Sequence, residues 1–334
     1  MTLESLEDEL SRPSDADYAF LQRLPGDVLI LGAGGKMGPS LARLARRAAD
    51  ASPTPRRVFA VSRFTGAEGR RQLRQQGVVP ISCDLLDRGQ LSRLPDCPNV
   101  LFLAGRKFGS TDNQPLTWAT NVLLPSFVCE RYRESRIVAL SSGNVYPLSA
   151  APSNEETPPA PVGEYAQSVL GRERVFEYYS GLHSTPVTLV RLNYAIDLRY
   201  GVLLDIGLQV REGLPVSLDM GSVNVIWQRD ANSMCLRALE LAASPPRILN
   251  VTGPQILSVR WIAERFAALF GVAPNFKGVE APTALLSDSS LACRLLGTPG
   301  VTPEEMIGMT AEWIRDGGPT LNKPTHFEER HGQF

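Results

Sequence analysis

The sequence is short of lysine and has no excess of charge of either sign. Lysine occurs only at positions 36, 107, 277 and 323, and 34 basic residues stand against 35 acidic ones, for a formal net charge of -1. A nucleic acid or an anionic membrane surface attracts a protein with a marked positive patch. Neither partner is therefore expected, and a small-molecule substrate is.

Paired cysteines and long apolar runs are also missing. The five cysteines are odd in number and widely separated, which is not the spacing of a zinc site or a disulfide framework. The three histidines, His183, His326 and His331, lack metal-ligand spacing and are expected at the surface. No apolar stretch approaches the roughly 20 residues of a membrane span, and the acidic first ten residues do not read as a secretory signal. A cytoplasmic protein without a metal is predicted.

Short apolar runs alternate with amphipathic segments from Asp27 onward. This alternation is typical of parallel strands that are covered by helices on both faces. The sequence therefore predicts an α/β fold, a doubly wound parallel sheet of the Rossmann type. The predicted strands are residues 28–31, 58–61, 78–81, 100–103, 137–140, 187–190 and 248–251.

After Arg191 the alternation weakens and segments rich in glycine and proline appear. We predict a dinucleotide-binding domain of residues 25–195 and 225–252, and a smaller, partly helical substrate-binding cap of residues 196–224 and 253–334. Residues 1–24 are predicted to be an N-terminal extension with one short helix. The tail Lys323–Arg330 could fold over a substrate pocket, but a solvated terminus is the expected arrangement.

A glycine loop follows the first predicted strand. Gly32, Gly35 and Gly38 have the spacing of a pyrophosphate-binding turn, and Lys36 and Met37 lie between them. The first glycine permits the turn, the second lets the backbone approach the phosphates, and the third lets helix and strand pack closely. A P-loop would need Ser or Thr where Met37 stands. The loop thus predicts a bound dinucleotide.

The second predicted strand ends in Ser62 and Arg63 rather than in a carboxylate. A carboxylate at this point would bind the ribose diol of NAD, whereas a guanidinium suits the 2'-phosphate of NADP. We therefore predict NADP as the cofactor, with NAD as the alternative. Asp84 and Leu85, after the third strand, are expected to flank the adenine.

Further along, several motifs follow the ends of the predicted strands, and the sequence resembles the extended short-chain dehydrogenase/reductase family, which includes NAD(P)-dependent epimerases and dehydratases. The likeness covers most of residues 27–260. It rests on the glycine loop, Asp84 and Leu85, Leu103 to Gly105, Asn121, Ser141 to Tyr146, Tyr165, and Arg191 to Tyr194.

The resemblance implies roles for individual residues. It makes Ser142 and Tyr165 the catalytic serine and tyrosine, and it places Ala104, Gly105, Asn121, Tyr165 and Asn193 at the cofactor. The substrate-binding residues expected from it are Arg106, Asn144, Tyr146, Asn224 and Trp227, although Trp227 may equally belong to the core.

The family pattern is broken four residues after the tyrosine, where Val169 replaces a lysine that lowers the pKa of the phenol. A phenol has a reference pKa of about 10, so it needs a nearby cation to act as a base near neutral pH. Lys107, beyond the fourth strand, is predicted to supply that cation. Arg172, seven residues after Tyr165, is the alternative.

The main hypothesis is an NADP-dependent oxidoreductase or epimerase that acts on a polar sugar-like or hydroxy-acid substrate by hydride transfer at a carbinol carbon. The alternative is a non-catalytic redox or metabolite sensor of the same fold, which the missing lysine favours. Residues 117–132 and 164–179 correspond to helices that pair in family dimers, so a homodimer is expected.

Overall fold

Seven parallel strands form the central sheet of the protein. The computed structural model describes residues 1–107 and 109–333. Within these residues the strands are β1 (Val28–Leu31), β2 (Val58–Ser62), β3 (Val79–Ser82), β4 (Asn99–Phe102), β5 (Arg136–Ser142), β6 (Val187–Leu192), β7 (Ala195–Ile196), β8 (Val216–Ser217), β9 (Ser222–Val223), β10 (Ile226–Trp227), β11 (Arg247–Val251), β12 (Leu257–Ser258) and β13 (Phe276–Lys277).

The sheet order is β3-β2-β1-β4-β5-β6-β11, with every neighbouring pair parallel. The predicted doubly wound parallel sheet is thus confirmed, and the predicted strands match the observed ones to within a residue or two at most ends. The direction of the order reverses between β1 and β4. Such a reversal opens a crevice at the carboxyl ends of the strands, where ligands bind in this architecture.

Helices cover both faces of the sheet. The helices in the described residues are α1 (Leu3–Leu10), α2 (Asp15–Arg23), α3 (Gly38–Asp50), α4 (Ala67–Gln75), α5 (Arg88–Leu91), α6 (Gln114–Trp118), α7 (Leu124–Arg131), α8 (Gly163–His183), α9 (Val202–Arg211), α10 (Gln228–Arg237), α11 (Val259–Phe270), α12 (Ser290–Leu296) and α13 (Pro303–Arg315). No helix among residues 1–107 and 109–333 is long and apolar enough to cross a membrane.

The strands are apolar throughout because both of their faces are buried. Ile30 of β1 belongs to a core with α2, α3 and α10, whereas Leu29 and Leu31 belong to a second core with α7 and α8. In that second core the rings of Phe102 and Phe176 meet edge to face with centroids 5.5 Å apart. Alternating side chains of one strand therefore serve opposite helical layers.

The first 24 residues form two helices, so the prediction of one short helix was wrong. Thr2 and Ser14 each close a capping box at the start of a helix. The helices bury only narrow apolar stripes, such as Leu6 with Leu10, which pack into the core of the C-terminal segments. Because the apolar stripe is so narrow, most residues of the segment are polar, and its composition alone does not indicate two helices.

A third core joins residues 196–227 with the segments after β11. It contains α9, α11 and α13, and pairs of two-residue strands join β7 with β10, β8 with β13 and β9 with β12. Phe327 of the C-terminal tail is 2% exposed and belongs to this core. The expectation of a solvated terminus was therefore wrong, because the tail carries a buried aromatic anchor.

Candidate functional site

A cavity of about 1010 Å³ lies at the carboxyl ends of the sheet strands. It begins at the glycine loop after β1 and extends past the ends of β4, β5 and β6. The structure brings most of the predicted site residues to its wall: Gly32, Gly35, Lys36, Met37, Gly38, Ser62, Arg63, Asp84, Leu85, Ala104, Gly105, Arg106, Lys107, Ser142, Asn144, Tyr165 and Asn193.

The glycine loop has the close contacts that its spacing predicts. Gly32 has a φ of +87°, and a Cβ there would come within 2.5 Å of the backbone nitrogen of Ala104. At Gly38 a Cβ would lie 2.3 Å from the carbonyl oxygen of Ala33, so helix α3 packs directly against the turn. A Cβ at Gly35 would make only ordinary contact, at 3.5 Å from the Gly32 oxygen. The loop therefore offers open backbone at the N-terminal end of α3, which fits a pyrophosphate.

The end of β2 forms another part of the wall. The Ser62 hydroxyl lies against Gly34, where a Cβ would approach Oγ to 2.4 Å. Arg63 is exposed at the cavity, and its guanidinium has no hydrogen-bond partner among the described residues. Asp84 Oδ1 accepts a hydrogen bond of 3.1 Å from the backbone of Leu86, which shapes the turn after β3.

The hydroxyls of Ser142 and Tyr165 meet across the cavity wall. Ser142 lies at the end of β5 and donates to Asn144 Oδ1 at 2.9 Å, and Tyr165 lies in the first turn of α8. Burial raises the pKa of Tyr165, while its hydrogen bond with Ser142 and the charge of Arg172 act in the opposite direction. The pair can hold an oxygen atom and exchange a proton with it.

The match to a known family decides what this site is. The model of the NAD dependent epimerase/dehydratase family matches residues 28–196, half of the chain. The chain belongs to this family. It is accordingly an NAD(P)-dependent enzyme of the oxidoreductase and epimerase type, as the resemblance implied. No curated protein sequence matches the chain.

Solved structures of this family share the fold. A UDP-glucuronic acid 4-epimerase from Bacillus cereus superposes with a TM-score of 0.73 at 18% identity, over 87% of this chain and 99% of that one. For a UDP-glucose 4-epimerase from Thermotoga maritima the values are 0.72 and 17%, over 87% and 99%. A dTDP-glucose 4,6-dehydratase from Bacillus anthracis gives 0.72 and 14%, over 87% and 97%.

In this member of the epimerase/dehydratase family, a buried apolar side chain stands at the position where the family usually has a lysine. Val169 is 1% exposed and packs with Val145 and Tyr146. Lys107 and Arg172 reach the cavity beside Tyr165, and Lys36 reaches it from the glycine loop. Each comes from a different element, so the positive charge that the family places on α8 is spread over three parts of the wall.

Lys107 approaches the ring of Tyr165 from the loop after β4. Its Nζ lies 5.9 Å from the ring centroid and donates to the Thr325 carbonyl at 3.4 Å. Burial lowers the pKa of Lys107 to about 8, with the charge of Asp205 opposing the shift. The side chain is therefore an ammonium at neutral pH and loses its charge as the pH rises through about 8.

Arg172 approaches from the same helix as Tyr165. Its Nη1 donates to the Leu140 carbonyl at 2.7 Å and its Nη2 to Asn121 Oδ1 at 2.7 Å. Side chains of a helix lean toward its N-terminus, so an arginine two turns beyond the tyrosine reaches back toward it. A Cβ on Gly105 would lie 2.7 Å from Nη2, so Arg172 packs closely against the backbone there.

Lys36 crosses the cavity. Its Nζ donates to the Ala195 carbonyl at 2.6 Å and lies 4.3 Å from the ring centroid of Tyr200. Burial lowers the pKa of Lys36 to about 8. The negative charge of Asp197 opposes this decrease, and the positive charges of Arg199 and Lys107 contribute to it. The Lys36 side chain therefore extends from the glycine loop to the opposite wall of the cavity.

Four predicted binding residues do not reach the cavity. Asn121 is buried and bridges the Arg106 backbone to the Ser168 hydroxyl. The Tyr146 hydroxyl donates to Asn250 Oδ1 at 2.8 Å and accepts from Arg191. These two, with Asn224 and Trp227, are at most 3% exposed.

The reason is that neighbouring elements take up these side chains. Asn224 binds the Asn193 side chain and the Ser287 carbonyl, and Trp227 is enclosed by the third core. They therefore support the cavity wall from behind in this structure. Sequence reasoning missed Tyr200, Lys323 and Thr325, which do line the cavity. Only the tail motif, with its lysine and aromatic, gave a signal for the last two.

Gly35→Ala tests the loop as a phosphate cradle. The structure leaves room for the methyl group at ordinary contact distance, so the free energy of unfolding should change by less than about 1 kcal/mol. Cofactor affinity should fall about tenfold or more, because the methyl group obstructs the approach of the phosphates to the backbone.

Isothermal titration with NADP and NAD measures the effect. Gly308→Ala is the matched control, since a Cβ there meets nothing within 4 Å and the residue lies away from the cavity. Unchanged cofactor affinity in Gly35→Ala would contradict the assignment of the loop.

Proposed function

We propose that the protein is an NADP-dependent oxidoreductase or epimerase that acts on a polar sugar-like or hydroxy-acid substrate at a carbinol carbon. The observation that carries this proposal is the hydrogen-bonded pair of Ser142 and Tyr165 in one cavity with the glycine loop. The sugar-nucleotide substrates named for the structural relatives support a polyhydroxy substrate.

In this proposal each residue has a defined task. A nicotinamide dinucleotide supplies the hydride acceptor or donor when it is bound. Tyr165 takes the proton from the substrate hydroxyl or returns it, and Ser142 holds the same oxygen by a hydrogen bond. Asn193 borders the nicotinamide end of the cavity, and Arg106 and Asn144 line its substrate side.

Two cations are proposed to replace the lysine that is missing at position 169. Lys107 is proposed to stabilise the phenolate of Tyr165, since its ammonium lies beside the ring. Arg172 is proposed to assist from the other side while it holds Asn121 and the Gly105 backbone in place. A nearby opposite charge shifts a pKa by about 1 to 3 units, which is the range that a phenol needs to become a useful base.

The preference for NADP is proposed from the end of β2. Arg63 is exposed there and free to form a charge-assisted fork with a 2'-phosphate. Two of the relatives described above are complexes with NAD, so the proposal for this chain rests on Arg63 alone.

Arg63→Ala tests that choice. The wild type should bind NADP more tightly than NAD, and the substitution should weaken NADP binding about ten- to a hundredfold while leaving NAD binding unchanged, because one charged hydrogen-bonding group is lost. Arg74→Ala, an exposed arginine of α4 that does not line the cavity, is the control. Equal or tighter binding of NAD by the wild type would refute the preference.

Turnover tests the catalytic assignment. Purified protein with NADP or NAD is screened against sugars, aldonates and nucleotide sugars at the absorbance band of reduced nicotinamide, with a product assay for epimerisation. Tyr165→Phe should abolish the reaction found. The loss of activity should far exceed any loss of cofactor affinity, since the phenol transfers the proton of the substrate hydroxyl.

Lys107→Met should lower the rate about 10- to 1000-fold at neutral pH and move the apparent pKa of the phenol upward. The difference from wild type should shrink as the pH rises above about 8, because the ammonium then loses its proton. Val169→Lys should partly restore the rate of Lys107→Met, at a cost in stability because Val169 is 1% exposed.

Lys277→Met, at an exposed lysine outside the cavity, controls for the loss of a charge. An unchanged rate and pH profile in Lys107→Met would reject the role of Lys107. Firm NADP binding without turnover on any substrate would instead favour the sensor.

A homodimer is proposed from the apolar surface of the predicted pairing helices. Trp118, Leu123, Tyr178 and Leu182 are 39%, 50%, 65% and 56% exposed on these neighbouring helices. Exposed large apolar side chains on neighbouring helices are typical of a subunit interface, and a twofold axis makes such a surface self-complementary.

Light scattering should give a dimer mass at micromolar concentration. Leu123→Asp should shift the mass toward the monomer because it places charge in the interface, whereas Leu214→Asp, at an equally exposed leucine elsewhere, should not. A monomer mass for the wild type would contradict the dimer.

A further inference from the structure

We propose that the C-terminal tail, residues 321–332, is a positioning element of the active site, in which Thr325 and Asp205 hold the Lys107 ammonium beside Tyr165. This inference rests on the proposed function, which gives Lys107 the task of the missing lysine. Three observations carry it: Thr325 accepts a hydrogen bond from Lys107, Asp205 fixes Thr325 and faces the same ammonium, and the tail is fastened on both sides of Thr325.

Thr325 links Lys107 to helix α9. The Lys107 Nζ donates to the Thr325 carbonyl at 3.4 Å. The backbone nitrogen and the hydroxyl of Thr325 both donate to Oδ2 of Asp205, in the first turn of α9, at 2.8 and 2.6 Å. Thr325 is 2% exposed, so water does not compete for these bonds. The carbonyl oxygen that meets the ammonium is therefore held at a fixed place relative to α9.

Asp205 also acts on Lys107 through its charge. Burial raises the pKa of Asp205, while the two hydrogen bonds from Thr325 act in the opposite direction and favour the carboxylate. That negative charge opposes the decrease that burial causes in the pKa of Lys107. Lys36 on the glycine loop faces the same ammonium with a like charge, and the titratable phenol of Tyr165 faces it from α8. Asp205 is thus the group that favours the charged form of Lys107.

The tail is fastened before and after Thr325. Before it, the backbone nitrogen of Leu321 donates to the Arg199 carbonyl at 3.0 Å. After it, Phe327 is 2% exposed and enclosed by the third core. Thr325 therefore lies between two anchored points, and its carbonyl cannot move away from the cavity without pulling one of them loose.

The end of the tail reaches the helix that carries Tyr165. Gly332 lies against Gly163, the first residue of α8, where a Cβ would overlap the carbonyl oxygen of Gly332. Tyr165 follows two residues later. The same segment thus contacts Lys107 at one point and the start of α8 at another, and it sets the cation and the phenol relative to each other.

The test measures kcat and KM against pH for the reaction that the turnover screen finds, with the full-length protein and saturating cofactor. Thr325→Val removes the hydroxyl bond to Asp205 at nearly constant shape. It should lower kcat about 3- to 10-fold at neutral pH, the effect of one hydrogen bond, with KM within about twofold of wild type. Thr325→Ser keeps the hydroxyl and should retain most of the wild-type rate.

Thr310→Val is the matched control. This threonine is also fully buried, its hydroxyl donates to the Met306 carbonyl at 2.7 Å within α13, and it lies away from the cavity. Its substitution should lower the thermal unfolding midpoint about as much as Thr325→Val does and leave kcat unchanged.

Double variants decide whether Thr325 acts through Lys107. In a Lys107→Met background, Thr325→Val should change kcat by less than about twofold, because the group that it positions is gone. A merely structural role would give the same fall in both backgrounds.

Asp205→Asn tests the link without changing the tail. Removal of the negative charge lowers the pKa of Lys107, so the rate advantage over the Asp205→Asn, Lys107→Met double variant should disappear at a lower pH than in the wild-type background, where it shrinks above about 8.

Equal effects of Thr325→Val in the two backgrounds, an unchanged rate in Thr325→Val, or an unchanged pH dependence in Asp205→Asn would overturn the inference while leaving the proposed function standing. An unchanged rate in Lys107→Met alone, or no turnover by the wild type on any substrate, would overturn the proposed task of Lys107, and this inference with it.

Discussion

The ion pair between Arg191 and Glu173 joins the elements on which the site depends. Arg191 lies on β6 and donates to both carboxylate oxygens of Glu173 on α8, at 2.9 and 2.7 Å, with side chains 1% and 0% exposed. Burial disfavours the charge, but the hydrogen bonds and charge of Glu173 together with the Tyr146 hydroxyl outweigh it and raise the pKa of Arg191. Ser141 donates to the same carboxylate, and Arg191 also donates to the Tyr146 hydroxyl at 2.8 Å.

This network fixes the catalytic pair because it holds α8 against the ends of β5 and β6. Removing one partner of a buried ion pair costs about 3–5 kcal/mol, since the other charge is left without compensation. The helix cannot slide along the sheet without breaking the three hydrogen bonds that Glu173 accepts from Arg191 and Ser141. Tyr165, two turns earlier on the same helix, and Ser142, next to Ser141, therefore keep their relative positions.

Much of this architecture follows from the sequence. The strands were found because each is a short apolar run, and the loop was found because Gly32, Gly35 and Gly38 have a spacing with a steric reason. The burial of Asn224 and Trp227 could not be predicted from local sequence, because these side chains pack against the distant segment around Ser287 and in the third core. The tail was misjudged for the same reason, since Phe327 finds its partners in helices far away along the chain.

The positive charge near Tyr165 shows the same limit. Val169 indicates that the usual lysine beside the tyrosine is missing, but the sequence does not show which other side chain reaches the phenol. Arg172 reaches it by leaning back along α8, and Lys107 reaches it from the loop after β4. Both depend on side-chain length and on the angle between helix and sheet, which no local pattern encodes.

The central claim is that the glycine loop, Arg63 and the Ser142–Tyr165 pair act on one dinucleotide. A crystal structure of the complex with NADP tests it most directly. The account predicts the pyrophosphate on the glycine loop, the 2'-phosphate at Arg63, and the nicotinamide ring beside Tyr165, Ser142 and Asn193. A nicotinamide ring outside this part of the cavity, or a 2'-phosphate away from Arg63, would contradict it.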